Sequence, residues 1–454
     1  MGQRGFTPED LYAFKGVGDL QISPDGKKIC YVVRRFDRDE EKSLTNIFLE
    51  DLENGKKRQL TFSGKDSSPI FSPDGKYLAF ISSRNDKKSQ IWILPLDGGE
   101  AWCLKTEESV SGPLLWTPDG QNIIYSSKVF SHDKEDWIPY PGAPEYDKER
   151  LIKLSEKKHQ KKDKDDDDAK KENKVKVITR FKYRFDGQGY FGDDREQVFI
   201  TPVPKSPTFD REPESRQLTS GDFDHSNPTI SPDGKYIVVG SRHSERADYE
   251  SETDLWLFEI ESGEGHLLYD APGPSYRPVW SPCGNYITFT GHDNQAGRSS
   301  TYDQWLLNIK KYLSGLQSDR DNTPLTVEDA QNITRPLDRP VGGQRTDVGY
   351  RGGKHLGWQK DRLIFLLNDR GVGCIYQVKP GQEPEEIFVD RQLSVTGLAV
   401  GDDFLVFTAS NPLQPADIYL LDDDLKQISE INNDLMEEIK LGDWEEFQYK
   451  SDDD

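Results

Sequence analysis

An all-β fold, a seven-bladed β-propeller, is predicted by three observations: a repeated aromatic strand, a repeated tight turn, and a repeat length that suits one four-stranded sheet. The strand phrase sets an aromatic among apolar residues. It reads Ile47-Phe48-Leu49, Ile91-Trp92-Ile93, Val198-Phe199-Ile200, Leu255-Trp256-Leu257, Gln304-Trp305-Leu306, Ile375-Tyr376-Gln377 and Ile418-Tyr419-Leu420. The aromatics are spaced 44, 107, 57, 49, 71 and 43 residues apart. The short spacings match one blade, and the long ones mark blades that carry insertions.

Upstream of these phrases lies the turn. Ser23-Pro24-Asp25-Gly26, Ser72-Pro73-Asp74-Gly75, Thr117-Pro118-Asp119-Gly120, Ser231-Pro232-Asp233-Gly234 and Ser281-Pro282-Cys283-Gly284 are five copies. Proline presets φ, aspartate tolerates the bridge region, and glycine takes the position where φ is positive. Worn copies stand at Gly357–Asp361 and Val400–Asp403. Strands such as Tyr77–Ile81 and Tyr236–Val239 follow, apolar on both faces like a middle strand between neighbouring blades. Second hairpins at Leu52–Gly55 and Leu96–Gly99 lead to short strands ending Gln59-Leu60-Thr61 or Gln217-Leu218-Thr219.

Seven such units fit between Gly18 and Ile431. The first unit opens near Leu20 with its own first strand, and the seventh ends near Ile428 with its own last. No strand is left for the chain ends to exchange. The junction of the first and last blades is therefore expected to close by apolar packing alone.

Composition bounds the function. Only 33% of residues are hydrophobic, 31% are charged, and the net charge is −22. That balance leans toward disorder, but the apolar residues are concentrated in the strands. No basic stripe suits nucleic acid, and no apolar run is long enough to span a membrane. Residues 1–6 hold no apolar signal core. Cys30, Cys103, Cys283 and Cys374 lie far apart and read as reduced thiols of a cytoplasmic protein.

Three segments lie outside the repeat. Residues 1–17 hold a short helix start, with Thr7 as cap, Pro8 in the first turn and Glu9 and Asp10 beside the dipole. Residues 132–176 interrupt the third blade with an aromatic-proline arm (Trp137, Tyr140) and a charged run centred on Asp165–Asp168, read as a solvated helix or loop, with a regulated flap over a cavity as the alternative. Residues 432–454 form an exit linker in which Trp444–Tyr449 reads as an extended strand.

Chemistry-bearing patterns are sparse. Gly187–Gly192 fits a dinucleotide motif literally, but a strand rather than a helix follows it, so no nucleotide is expected. The seven histidines lack ligand spacing, and the aspartate runs lack the glycine and terminal glutamate of a calcium loop. No cofactor or metal is expected. A hydrolase elbow needs serine between two glycines as G-x-S-x-G, and none occurs, so no catalytic residue is assigned.

Thr7–Tyr12 through Ile22–Ile29, with Val177–Gly187 and Gln217–Gly234, resembles the propeller of the acylaminoacyl-peptidase branch of the prolyl oligopeptidase family. The Ser-Pro-Asp-Gly turn alone is shared with TolB-like propellers. In that family the propeller caps an α/β-hydrolase domain that carries the serine, aspartate and histidine. Glu446–Asp452 resembles the strand leading into it, and the family's catalytic positions would all lie beyond Asp454.

The resemblance implies a non-catalytic propeller that gates peptide access to a hydrolase domain, supplied in cis or in trans. A stand-alone TolB-like propeller that binds a protein or peptide is the alternative, and an enzyme using propeller loops directly is a third. A homo-oligomer stays open. An exposed apolar face containing Leu11, Phe14, Trp444 and Phe447 would favour the first reading, and a polar, covered face the second.

Overall fold

Each Ser-Pro-Asp-Gly turn is tied by its own side chains. In the computed structural model, Ser23, Ser72, Thr117 and Ser231 each donate a hydroxyl hydrogen bond of 2.6 Å to the aspartate two residues on. The same hydroxyls accept the N–H of Lys28, Tyr77, Asn122 and Tyr236, the first residues of the next strand. Gly26, Gly75, Gly120 and Gly234 have φ of 67–71°, where a side chain is strained. The structure describes residues 3–130, 178–204, 214–316, 323–343 and 353–450, apart from positions 86, 87, 107, 179, 187, 188, 193, 245 and 448. The charged insertion expected at 132–176 lies outside the described residues.

Turns of this type link the first and second strands in five of the seven antiparallel four-stranded sheets; each sheet uses successive strands, except that the short hairpin of Arg184–Phe185 with Gly189–Tyr190 intervenes between the second and third strands of the third. The chain is an all-β, seven-bladed β-propeller, as predicted. Two compact units make it up, residues 1–104 with 333–454, and residues 105–332.

The first unit holds four sheets. The first comprises Gly16–Ile22, Lys28–Asp37, Lys42–Asp51 and Lys57–Gln59. Asp66–Phe71, Tyr77–Ser82, Gln90–Pro95 and Trp102–Leu104 form the second. The sixth is Leu356–Gln359, Arg362–Asp369, Val372–Val378 and Glu385–Phe388. The seventh is Ser394–Val400, Leu405–Asn411, Gln414–Leu421 and Leu425–Gln427. In the second unit, the third sheet runs from Val110–Trp116 to Arg216–Gln217, the fourth from Ser226–Ile230 to Gly265–Tyr269, and the fifth from Ser275–Trp280 to Ala330–Asn332.

The repeated aromatic pairs across strands. Phe48, Phe199, Trp305, Tyr376 and Tyr419 stack on Tyr31, Tyr125, Phe289, Phe365 and Phe407, their direct partners on the second strand, at 5.5–6.2 Å. Such pairs fix register as well as bury area. The deepest burial falls on the flanking aliphatics: Ile47, Ile91, Ile93, Val198, Leu255, Leu257, Ile375 and Ile418 are inaccessible, whereas Phe48, Phe199, Trp256 and Tyr376 are half-buried.

A second repeated tie closes each of three sheets. The hydroxyls of Thr61, Thr219 and Ser429 accept the N–H of Ile47, Val198 and Ile418 on the third strand. First strands are bulged, with Asp19, Ser68, Asn227 and Arg277 at φ 52° beside register shifts.

The first and seventh sheets share no strand, as the phase of the repeat predicted. Val17, Leu20, Ile29, Tyr31 and Val33 pack there with Ala399, Val406, Ala416 and Ile418. Apolar packing is not the whole closure, which corrects the sequence expectation. Arg4–Gly5 pairs in parallel with Ile439–Lys440, and the buried Asn432 side chain accepts the Lys15 N–H and donates to the Lys15 carbonyl, both at 2.9 Å. Among the described residues the C-terminal strand is thus Ile439–Lys440, and residues 444–447 belong to no strand.

Candidate functional site

The N-terminal segment uses its own acid and base locally. Asp10 accepts two hydrogen bonds from the Arg4 guanidinium, at 2.8 and 2.6 Å, and one from the Thr7 N–H at 2.7 Å. Arg4, followed by Thr7, holds its carboxyl well below the usual range. This capping box starts a 3₁₀ turn, Pro8–Tyr12, that turns Leu11 outward.

Leu11 is 56% exposed. With Phe6, Phe14, Met436, Leu441 and Trp444 it lines a groove of about 610 Å³. Glu446 and residues at connections of the sixth and seventh sheets complete the wall: Arg370–Val372, Arg391, Gln392, Ser394 and Ser410–Pro415. These join second strands to third, or enter the seventh sheet. Antiparallel order places them at the strand ends opposite the Ser-Pro-Asp-Gly turns. Phe6 and Phe14 stack at 6.2 Å, and Leu413 stands exposed at a turn apex between Pro412 and Pro415. Arg391 lies 3.7 Å from Asp369, which Arg339 holds at 2.6 Å and keeps acidic.

Of the four residues singled out from sequence, Leu11, Phe14 and Trp444 line one groove. Phe447 does not line it; it is 77% exposed and lies 6.4 Å from the Tyr449 ring. The contributions of Phe6, Arg370 and Leu413 were missed. For Leu413, the signal was an apolar residue in a proline-flanked turn.

The second unit contains an unusual buried pair. His225 and His243 face each other through Nε2 at 3.0 Å, and His243 is clamped between Phe223 and Trp256 at 4.6 and 3.8 Å. Burial, with the neighbouring His243, depresses His225 to about 3, and burial depresses His243 to about 4. Both imidazoles are therefore neutral at pH 7, one donating to the other. Gly189–Tyr190, within the dinucleotide-like motif, is a short strand paired with Arg184–Phe185 rather than a helix start. Among the described residues no group of three or more His, Cys, Asp or Glu is placed to hold a metal ion, and no helix is long and apolar enough to cross a membrane.

Comparison with known proteins agrees with the geometry. Residues 20–130 match the TolB β-propeller domain family. The uncharacterized peptidase YuxL of Bacillus subtilis is 25% identical over 98% of this chain, which spans 62% of that protein. Dipeptidyl-peptidase 5 of Porphyromonas endodontalis is 22% identical over 66% of the chain, covering 40% of its own length. Among solved structures, Pyrococcus horikoshii acylaminoacyl peptidase superposes with a TM-score of 0.65 at 18% identity, over 97% of this chain and 56% of that one. The β-propeller domain of the Pyrococcus furiosus trilobed protease, described as having an open velcro topology, gives 0.57 at 16% identity over 92% and 99%. The fold is that of the propeller portion of the acylaminoacyl-peptidase and prolyl-oligopeptidase clan, built from TolB-like repeats. This chain spans about three fifths of the Bacillus protein.

Proposed function

We propose that this chain is the gating propeller of a serine peptidase resembling acylaminoacyl peptidases. It restricts peptide access to an α/β-hydrolase domain that docks on the groove between the two chain ends. The chain itself supplies no nucleophile. The observation that carries this reading is the apolar lining of that groove, in which Leu11, Leu413 and Trp444 are exposed and Phe14 is half-buried. An exposed apolar surface of this kind, rimmed by polar residues, marks a site of interaction. A stand-alone peptide-binding propeller predicts a polar, covered face there instead. A reducing, cytoplasmic location belongs to the same reading, supported by Cys30 and Cys374 as buried thiols.

The test has two arms. The purified chain is assayed on N-acetylated peptides, with no turnover expected; hydrolysis blocked by a serine-directed inhibitor overturns the assignment. The remaining portion of the Bacillus subtilis relative is then titrated with the chain and with Leu413→Asp and Trp444→Ser. Binding by the wild type and loss in both variants supports docking in the groove. Equal behaviour of all three, bound or unbound, removes it.

A further inference from the structure

The junction of the first and seventh sheets has no shared strand, so its side-chain ties matter. Phe48 and Glu50 alternate on one strand of the first sheet, Leu52 stands in the turn just past its end, and Phe48 and Leu52 pack into the cluster shared with the seventh. Glu50 therefore faces that junction too. It is 3% exposed, and its Oε2 is buried with no hydrogen-bond partner. An unbonded, buried carboxylate is costly to ionise. Burial, partly opposed by Lys57, pushes Glu50 up to about 7.

Lys57, on the adjacent strand, has two acceptors within reach. Its Nζ is 2.5 Å from the carbonyl oxygen of Ile428, just past the last strand of the seventh sheet, and 3.7 Å from Glu50 Oε1. One acceptor lies across the junction and the other within the first sheet. The other titratable groups facing the site are Tyr31 and Asp417, both raised chiefly by burial. Asp417 is already met by the Ser429 hydroxyl at 2.6 Å, the Ile431 N–H at 2.8 Å, and the Gln414 and Gln427 amides. Glu50 has Lys57 beside its Oε1 and nothing on its Oε2, so its ionisation changes what Lys57 is drawn to.

We propose that Glu50 and Lys57 form a proton-operated latch on this junction. With Glu50 neutral, Lys57 ties the first sheet to the Ile428 carbonyl. Once Glu50 is ionised, the ammonium is drawn back to it and the tie is released. The latch is independent of what docks in the groove.

Hydrogen exchange of residues 425–431 in the full chain tests this between pH 5.5 and 8.5, normalised for intrinsic rate against residues 236–241. Protection of 425–431 is expected to fall about tenfold as pH rises, the order of one charge-assisted hydrogen bond. Glu50→Gln should hold the low-pH protection throughout, and Lys57→Met the loosened level throughout. Asp417→Asn should keep the transition. A flat wild-type profile, a transition that survives Glu50→Gln, or one abolished by Asp417→Asn overturns the latch. Should Glu50→Gln not fold, Lys57→Met decides alone: a transition persisting there also overturns it.

Discussion

Ser281 Oγ lies 3.4 Å from Cys283 Sγ, where the equivalent hydroxyls of Ser23, Ser72, Thr117 and Ser231 each meet an aspartate at 2.6 Å. The fifth turn keeps the backbone of the other four, with Gly284 at φ 72°, but replaces their strongest acceptor with a thiol. Restoring the carboxylate in Cys283→Asp should stabilise the chain by about 1 kcal/mol, the net value of a side-chain hydrogen bond. Thermal melting checks it, and an unchanged or lowered midpoint counts against the account.

The same pocket favours a thiolate. Burial raises the Cys283 thiol, but the Ser281 hydroxyl and the Asn285 N–H outweigh it, so the net shift is downward. Burial raises the thiols of Cys30 and Cys374. Iodoacetamide at pH 7.5 should therefore label Cys283 well before Cys30 or Cys374, as read by peptide mass spectrometry. Ser281→Ala should slow that labelling. Equal rates at the three sites would mean that exposure and the turn's donors do not govern the chemistry.

Asn432 joins the two chain ends by both of its amide atoms, to a residue 417 positions away. Asn432→Ala leaves the Lys15 N–H and carbonyl without that partner in a part-buried place. The expected loss is about 2 kcal/mol, two net hydrogen bonds. Residues 3–15 should become the first site of proteolytic cutting, since Arg4–Gly5 is held to Ile439–Lys440 by a strand pair of only two residues on each side. Unchanged stability with unchanged cutting would show that the strand pair and packing suffice.

Local rules made the seven sheets legible. Proline and glycine, with aspartate in four of them, write the first turns of five sheets, and the aromatic phrase pairs directly with the second strand. The phase of that repeat was enough to predict the absence of a shared strand. The closure beyond it was hidden, because Lys15–Asn432 and the Arg4–Gly5 pairing join segments with no local signature. The bulges were hidden for a different reason: Asp19, Ser68, Asn227 and Arg277 take positive φ without the glycine that would announce it. The groove was half legible. Leu11, Phe14 and Trp444 stood out as apolar residues outside the repeat, whereas Arg370 and Leu413 sit in ordinary-looking turns whose convergence only the fold supplies.

The His225–His243 pair makes the fourth sheet sensitive to acid. In the unfolded chain each imidazole takes a proton near its ordinary value of 6.5, whereas in the folded chain burial holds them to about 3 and about 4. A depressed folded value means that the stabilisation is complete above pH 6.5 and is lost as pH falls toward 4. Each pH unit below 6.5 costs up to about 1.4 kcal/mol per histidine. Carboxylates titrate over part of the same range, so the informative quantity is a difference between proteins. His243→Phe keeps the stack between Phe223 and Trp256 while removing one of the two titrating rings. Urea midpoints taken at pH 7.0, 6.0 and 5.0 should fall more steeply for the wild type than for the variant. Parallel slopes would mean that the pair opens to water and takes up protons without unfolding the sheet.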